Sequence, residues 1–309
     1  MRVVTTLPSA TELVCALGIE PVGVSHECDY PPRVEDYPRV TRSTIDASGT
    51  SAEIDEQVLD AQAHGGVYDV DVEALDRLDP DVVITQDVCD VCAVDERVVA
   101  AAVDEIDADP ALVPIDAHRI GEVLDDLERL GDLLDRPDRA ASVRADLESR
   151  LDAVRDAAPE PDERPRVVVF DWTDPVMVAA HWVPELVEIA GGRYELAEAG
   201  TDARPRQWEE IVDYDPEVAI VAPCGFDLAQ TAANLSDLTD REGWDELTAV
   251  ETGQVYAIDG HHYLNRPGPR LVDAAERLAR VIHPDRFGDA TDPGDLAVPV
   301  ETLRRRVDA

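Results

Sequence analysis

The sequence predicts an α/β protein of two lobes, each with a parallel sheet covered on both faces, joined by a single long bridging helix. Three patterns predict it. Strand-like and helix-like segments alternate through residues 1–118 and again through residues 159–284, the arrangement that builds parallel sheets. Residues 119–158 carry only helical spacing, with Leu124, Leu127, Leu130 and Leu134 followed by Val143, Leu147, Leu151 and Val154. One stretch also recurs: Leu75–Ile84 is echoed by Ile211–Ile220. In both copies a short helix ends, Asp-Pro turns the chain, and an apolar strand enters a loop containing cysteine.

In chain order, Arg2–Leu7 reads as the opening strand, rich in β-branched residues. Ser9 and Glu12 are spaced as a capping box for a helix over Ala10–Leu17, which Gly18 ends. A strand over Pro21–Val24 runs into the polar loop Ser25–Pro32. A helix over Ala52–Ala63 stops at Gly65-Gly66. A short helix (Val72–Leu78), a strand (Asp81–Thr85), a cysteine-bearing loop, a helix (Asp95–Ile106) and a strand (Leu112–Ile115) complete the first lobe. In the middle segment, Asp135 and Pro137 mark the start of a bridging helix over 137–158. At about 1.5 Å per residue it spans about 30 Å, enough to cross between lobes. The second lobe opens on the strand Arg166–Phe170, continues with strands over Val218–Val221 and Val255–Ile258, and closes at His283-Pro284. Residues 285–309 are a tail whose pattern allows a last helix and to which no role is assigned.

Among the 309 residues, 27 basic side chains, all arginine, stand against 68 acidic ones, for a formal charge of −41. A hydrophobic share of 44% is that of a folded chain, so the acidity does not signal disorder. A phosphate backbone would be repelled, which excludes nucleic-acid binding. No apolar run of about 18 residues and no basic amphipathic stretch points to membrane insertion. Such acidity without lysine suits a salt-rich, halophilic cytosol, where a Debye length of roughly 3 Å at molar salt screens self-repulsion. No apolar signal core precedes the first strand, so the chain as written is expected in the cytoplasm, and at the extracellular membrane face if the start site is wrong. Five cysteines is an odd number, which favours reduced thiols. The common hydrolase, nucleotide-binding and metalloprotease motifs are missing, and no enzymatic activity is expected.

Ligands of open parallel sheets bind beyond the carboxyl ends of the strands, and the uncommon residues fall there. Ser9 follows the first strand; His26, Cys28, Asp29 and Tyr30 follow the second; Gln86, Cys89 and Cys92 follow Asp81–Thr85. In the second lobe Trp172 follows the first strand, and His181 and Trp182 open the next helix. Cys224 and Phe226 follow Val218–Val221, and His262, Tyr263 and Arg266 follow Val255–Ile258. His26, Cys28, Cys89, Cys92, Trp172, His181, Cys224 and His262 are expected to line one pocket between the lobes. The two indoles beside loops suit ligand stacking. Cys28, Cys89, Cys92, Cys224 and His26 are the candidate metal ligands. The Cys-x-x-Cys pair has metal-hairpin spacing but lacks a second pair, so structural thiols and redox exchange stay open beside a metal site. Cys15, among Leu13, Val14 and Leu17, reads as core; His64, His118 and His283 read as helix-terminal residues without a role.

Several short motifs occur in a telling order: Leu7-Pro8-Ser9-Ala10-Thr11-Glu12, Gly23-Val24-Ser25, Leu78–Val83, Ile189-Ala190-Gly191-Gly192, Tyr214–Ile220 and Gly253-Gln254-Val255-Tyr256. With the bridging helix, this order resembles the class III substrate-binding proteins, the cobalamin- and siderophore-binding branch of the ABC-importer receptors, over about residues 1–284. The resemblance implies two Rossmann-like lobes with little relative movement, because a helix does not hinge as paired strands do. It implies cobalamin or another metal chelate as a bound ligand, and an ABC permease as partner. Receptors of this kind present a glutamate on each lobe to permease arginines; Glu73 and Glu209, each six residues before an equivalent aspartate, occupy those places. The cleft segments hold more Cys and His than a preformed chelate requires, and a bound metal ion would use them. Three readings follow. The first is non-catalytic binding of cobalamin or a related chelate between the lobes; the second is a cytosolic metal-ion or metallocluster protein, an enzyme among the options, using cleft Cys and His. The third is an importer receptor whose start site lies upstream.

Overall fold

The computed structural model of the chain describes residues 1–88, 91, 93–288 and 297–307, with side chains to 303. The first lobe holds β1 (Val3–Thr5), α1 (Pro8–Ala16), β2 (Thr41–Ser43), α2 (Ser51–His64), β3 (Tyr68–Val70), α3 (Val72–Leu78), β4 (Val82–Gln86), α4 (Glu96–Val103) and β5 (Ala111–Ile115). Two long helices follow, α5 (Ile120–Leu133) and α6 (Pro137–Ala157). The second lobe begins with β6 (Val167–Trp172), β7 (Met177–Val178), α7 (Val183–Ile189), α8 (Trp208–Tyr214), β8 (Val218–Val221) and α9 (Leu228–Ala233). It goes on through α10 (Ser236–Thr239), α11 (Thr248–Glu251), β9 (Val255–Ile258), α12 (Leu271–Ile282), α13 (Pro284–Phe287), β10 (Ala297–Pro299) and α14 (Val300–Val307).

The first lobe's sheet is parallel, in the order β1-β4-β5, with Val3 opposite Val82 and Val82 opposite Ala111. Single parallel bridges from Val4 to Gly23 and from Val24 to Arg39 extend it, where a full strand over Pro21–Val24 was expected. A Cβ on Gly23 would lie 2.4 Å from Leu78 Cδ1 and 3.1 Å from Val40 Cγ1, so a larger residue there would push both side chains aside where this edge closes on α3. The second sheet has the order β10-β9-β8-β6-β7 and corrects the expectation of a wholly parallel one. Its centre, β9-β8-β6, is parallel, and both edge strands are antiparallel. The reason is chain economy: β6 returns through a short hairpin as β7, and the tail brings β10 back along the free edge of β9.

The internal echo is a structural repeat. The seven-residue helices α3 and α8 end on Asp79 and Asp215, both left-handed at φ 44° and 47°. In the first copy, Arg2 Nε donates to the carbonyls of Leu78 (2.8 Å) and Asp79 (3.0 Å), and its backbone N–H to Asp81 (2.6 Å). In the second, Arg166 Nε donates to the Asp215 carbonyl (2.7 Å) and its backbone N–H to Glu217 (3.0 Å). One arginine before each lobe's first strand thus latches the C-terminus of the corresponding helix, where a cation meets the negative end of the dipole.

One apolar core runs through both lobes: Val3, Leu13 and Ile84 of the first join Leu127, Leu130 and Leu151 of the long helices and Val169, Leu186 and Leu278 of the second. Separate clusters cover the outer face of each sheet, one around Phe170, Ile211 and Trp244, the other around Val4, Val83 and Val99. Arg150 of α6 ties the bridge to α12 through Asp273 (2.5 Å) and Glu276 (2.8 Å). A continuous core across a bridging helix restricts relative lobe motion.

The capping box does not form. Pro8 takes the first helical position, Leu7 becomes the N-cap without a side-chain bond, and Glu12 turns inward.

Candidate functional site

The carboxyl ends of the two sheets meet along one seam, and the side chains there form two histidine-bearing clusters with a charged base between the lobes. At the base, Glu12 of α1 is buried and receives Arg270, which opens α12, at 2.5 and 3.0 Å. Arg266, also buried, donates to Asp29 (2.5 Å) and to the Glu27 carbonyl (3.2 Å) and lies 3.9 Å from Glu12. The four groups sum to zero charge, and every strong pairing crosses between lobes. Burial pushes the Glu12 carboxyl up, against the opposing pull of Arg270. Arg270 is further held between aromatic faces, with its Cζ 4.3 Å from the Tyr30 ring centre and 5.1 Å from that of Tyr263. Gly268 allows this packing, since a Cβ there would sit 3.2 Å from Glu12 Oε2.

Above this base, His262 bridges Asp29 (Nε2, 2.7 Å) and Asp259 (Nδ1, 2.8 Å). His261 lies 3.4 Å from Glu27, and Glu27 lies 3.2 Å from His26. Hydrogen bonds to Asp259 and Asp29 raise the His262 pKa to about 9. Burial opposes the ionisation of Asp29, but His262 and Arg266 outweigh it and hold its carboxyl well below the usual carboxylate range. Asp29, His262 and Asp259 are thus ion-pair partners whose facing atoms already bond one another.

A stability profile follows. An imidazole whose folded pKa exceeds its unfolded value of about 6.5 contributes fully below that pH and loses its contribution as pH rises through about 9. With 33% of the side chain exposed, screening leaves an effect of about 1–2 kcal/mol. Stability is expected to fall between pH 6.5 and 9 in wild type, and His262→Gln to flatten that segment of the urea-midpoint profile. A variant retaining the full slope would contradict the assignment.

The wall of the second lobe is contiguous with this cluster. The Gly260 N–H donates to the Phe226 carbonyl (3.0 Å), so the Cys224 loop and the His261 loop are tied side by side. A Cβ on Gly260 would meet the Pro223 carbonyl oxygen at 2.0 Å, so the tie requires glycine. Buried Phe226 backs the half-buried Trp172 ring at 4.9 Å between centroids. Next to Trp172, the Thr173 hydroxyl contacts Ser51 of the first lobe at 2.5 Å, and the Ser51 N–H donates to Asn234 Oδ1 (2.9 Å). Burial pushes the carboxyl of Asp171, the residue before Trp172 on β6, up to about 6.

At the other end of the seam, His118 Nδ1 lies 3.0 Å from His181 Nδ1, and His118 Nε2 lies 2.9 Å from Asp116 Oδ1. Asp202 stands beside the two rings. Burial and the neighbouring His118 lower the His181 pKa.

Of the expected residues, Asp29, His262 and Arg266 join in one network that His26 approaches through Glu27, and Tyr263 lies against Arg270. Trp172 rests on Phe226 in the loop that Cys224 opens, and His181 pairs with His118 apart from them. The structure does not present the others as a pocket lining. Cys28 is buried with Val24 and Val34, its Sγ 3.0 Å from Thr11 Oγ1, and burial pushes its thiol up to about 11, which suits packing rather than metal ligation. Trp182 is buried and donates to the Leu264 carbonyl (2.7 Å), a strut rather than a stacking face. Ser9 is buried against Gly268, and Gln86 is buried with its Oε1 accepting from the Val88 N–H (2.7 Å). Tyr30 is largely exposed over Arg270. Cys89 and Cys92 lie outside the described residues. Sequence reasoning missed Glu12, Arg270, Asp259 and His118. A glutamate followed by Leu13 and Val14 on a helix packed into the core was the one available signal for Glu12. A groove of about 640 Å³ lies elsewhere, lined by Leu124, Leu151, Arg155, Glu188 and their neighbours on α5, α6 and α7. None of the expected site residues lines it.

Two α/β lobes with their carboxyl-end loops opposed, one bridging helix and a polar, aromatic seam define a two-lobed binding protein. The chain matches the model of the periplasmic binding protein family over residues 3–261 and belongs to that family. It is 27% identical over 288 residues to a cobalamin-binding protein of Halobacterium salinarum, covering 91% of this chain and 69% of that one. It is 26% identical over 298 residues to an uncharacterized ABC transporter substrate-binding lipoprotein of Bacillus subtilis, covering 93% of this chain and 81% of that one. The fold matches the periplasmic vitamin B12 binding protein of Vibrio cholerae with a TM-score of 0.65 at 22% identity, covering 91% and 96% of the two chains. No helix among the described residues is long and apolar enough to cross a membrane.

Proposed function

We propose that this chain binds a corrinoid or a closely related metal chelate between its lobes and releases it unchanged. The observation that carries the reading is the wall at the seam. Trp172 stands half-buried on a Phe226 support beside Thr173, and the Gly260–Phe226 backbone bond ties this wall to the loop that carries His262 and its partner Asp29. An indole face covers the flat apolar part of a macrocycle, and polar groups around it meet side-chain amides. The relatives named for cobalamin and vitamin B12 support this ligand class. No reacting pair of groups is needed for it, so the protein acts without catalysis. Titration with cyanocobalamin, followed by tryptophan quenching, is expected to saturate at one equivalent with the corrin spectrum preserved. Absence of binding to corrinoids and to heme alike would overturn the reading.

Docking onto an ABC permease is a second reading that one observation favours. Glu73 and Glu209 are both exposed, and each is the second residue of a seven-residue helix in the repeat. The two carboxylates thus occupy equivalent places on the two lobes. Reversing both charges (Glu73→Arg with Glu209→Arg) is expected to weaken association with the permease by roughly tenfold or more while leaving chelate affinity intact. Unchanged association would remove the docking role.

A further inference from the structure

We infer that His118 Nδ1, His181 Nδ1 and the Asp202 carboxylate form a binding site for one divalent transition-metal ion at the seam between the lobes. The inference stands whether or not the cleft binds a chelate. The three ligand atoms lie within 4.8 Å of one another, and His118 belongs to the first lobe while His181 and Asp202 belong to the second. Two ring nitrogens 3.0 Å apart can both reach an ion at about 2.0–2.1 Å, with an angle of about 94° at the metal. That angle fits adjacent positions of a six-coordinate site and is within reach of a distorted tetrahedron. Imidazole donors select zinc, copper, nickel or cobalt over magnesium and calcium, which take oxygen.

A second observation is independent of the cluster's proximity. Asp116 Oδ1 accepts from His118 Nε2–H at 2.9 Å, which leaves the Nδ1 lone pair of His118 directed at His181. A carboxylate on the far nitrogen of a ligating imidazole fixes the tautomer and raises basicity, the arrangement that orients metal-bound histidines. The His118 loop is held from behind, since Glu122 accepts from the backbone N–H groups of His118 (2.7 Å) and Arg119 (2.9 Å). Arg119, the residue after His118, is paired with Glu185 at 3.0 Å and also donates to the Ala199 carbonyl. In the ligand-free arrangement one proton lies between the two Nδ1 atoms. Metal binding moves the His181 proton to its Nε2, and both rings stay neutral.

The other histidine group, Asp29 with His261 and His262, makes the contrast. There Arg266 donates to Asp29 at 2.5 Å, and His262 is itself spent between Asp29 and Asp259. A guanidinium on the carboxylate repels a second cation, so this group is an ion-pair network and the His118 group is the metal site.

The test is a titration of the full chain with Co²⁺ in molar potassium chloride, with excess Mg²⁺ to occupy surface carboxylates. One saturating equivalent with d–d absorption is expected, displaced by Zn²⁺. His118→Ala and His181→Ala should each weaken binding by more than roughly 100-fold and Asp116→Asn by roughly tenfold, while His64→Ala, at an exposed helix end, leaves it unchanged. Histidine-ring NMR of the unaltered chain guards against misfolded variants: of seven histidines, Zn²⁺ should shift His118 and His181. Sulfur-to-cobalt charge-transfer bands, shifts centred on His261 and His262, or full affinity in both histidine variants would each overturn the assignment.

Discussion

Replacing Arg270 by alanine is expected to cost about 3–5 kcal/mol of folding stability, the largest effect of any single side-chain truncation at the seam. Glu12 and Arg270 are both buried and pair across the lobe boundary at 2.5 and 3.0 Å, so removing the guanidinium strands a carboxylate in the core. Arg266, 3.9 Å from Glu12, is already committed to Asp29 and does not replace it. Burial raises the Glu12 pKa even with Arg270 present, and without it the carboxyl takes up a proton more readily. The deficit of Arg270→Ala therefore shrinks as pH falls, because a protonated Glu12 needs no counter-charge. Replacing both partners by methionine should recover most of the loss, since a buried pair exchanged for apolar residues of similar volume is often neutral or better. Urea unfolding at pH 5 and pH 8 reads all three. A deficit under 1 kcal/mol for Arg270→Ala, or one that does not change with pH, would refute the role given to this pair.

Trp172→Ala is expected to weaken chelate binding by roughly 10- to 100-fold, about 1.4–2.8 kcal/mol. The ring is half-buried, its Nε1 donates to the Asp174 carbonyl (3.1 Å), and Phe226 fixes its orientation from behind. A ring held in place before the ligand arrives loses little entropy on binding, which is where an aromatic platform gains its affinity. Cys89→Ser together with Cys92→Ser should leave corrinoid affinity nearly unchanged, because a preformed chelate does not need thiolate ligands. Equal losses in the two variants would favour a metal or metallocluster held by cysteine over a bound macrocycle.

The elements that were legible in the sequence are those whose signals are local. Helix α3 is read to the residue from its apolar spacing and the Asp-Pro that follows, and β8 and β9 likewise, because β-branched runs are bounded by turns. Strands β7 and β10 were not legible: two and three residues long, they owe their state to the partner strand they lie against. The Ser9–Glu12 spacing shows why a local rule fails at a site. It has the form of a capping box, but Pro8 shifts the helix start by two residues, and the partner of Glu12 is Arg270, 258 residues away. The candidate site was half legible for the same reason. Strand ends located Trp172, Phe226 and His262, whereas the pairing of His118 with His181 arises only when two lobes close against each other.

The proposal that a metal chelate binds between the lobes and leaves chemically unchanged is decided by a visible spectrum with metal analysis of the full chain, isolated from its own cells in molar salt. A corrin or closely related macrocycle spectrum, with cobalt or the chelated metal near one equivalent and lost on denaturation, is the predicted result. Absence of any macrocycle absorption, with iron or zinc beyond the single equivalent that the His118 and His181 site would hold, would contradict it.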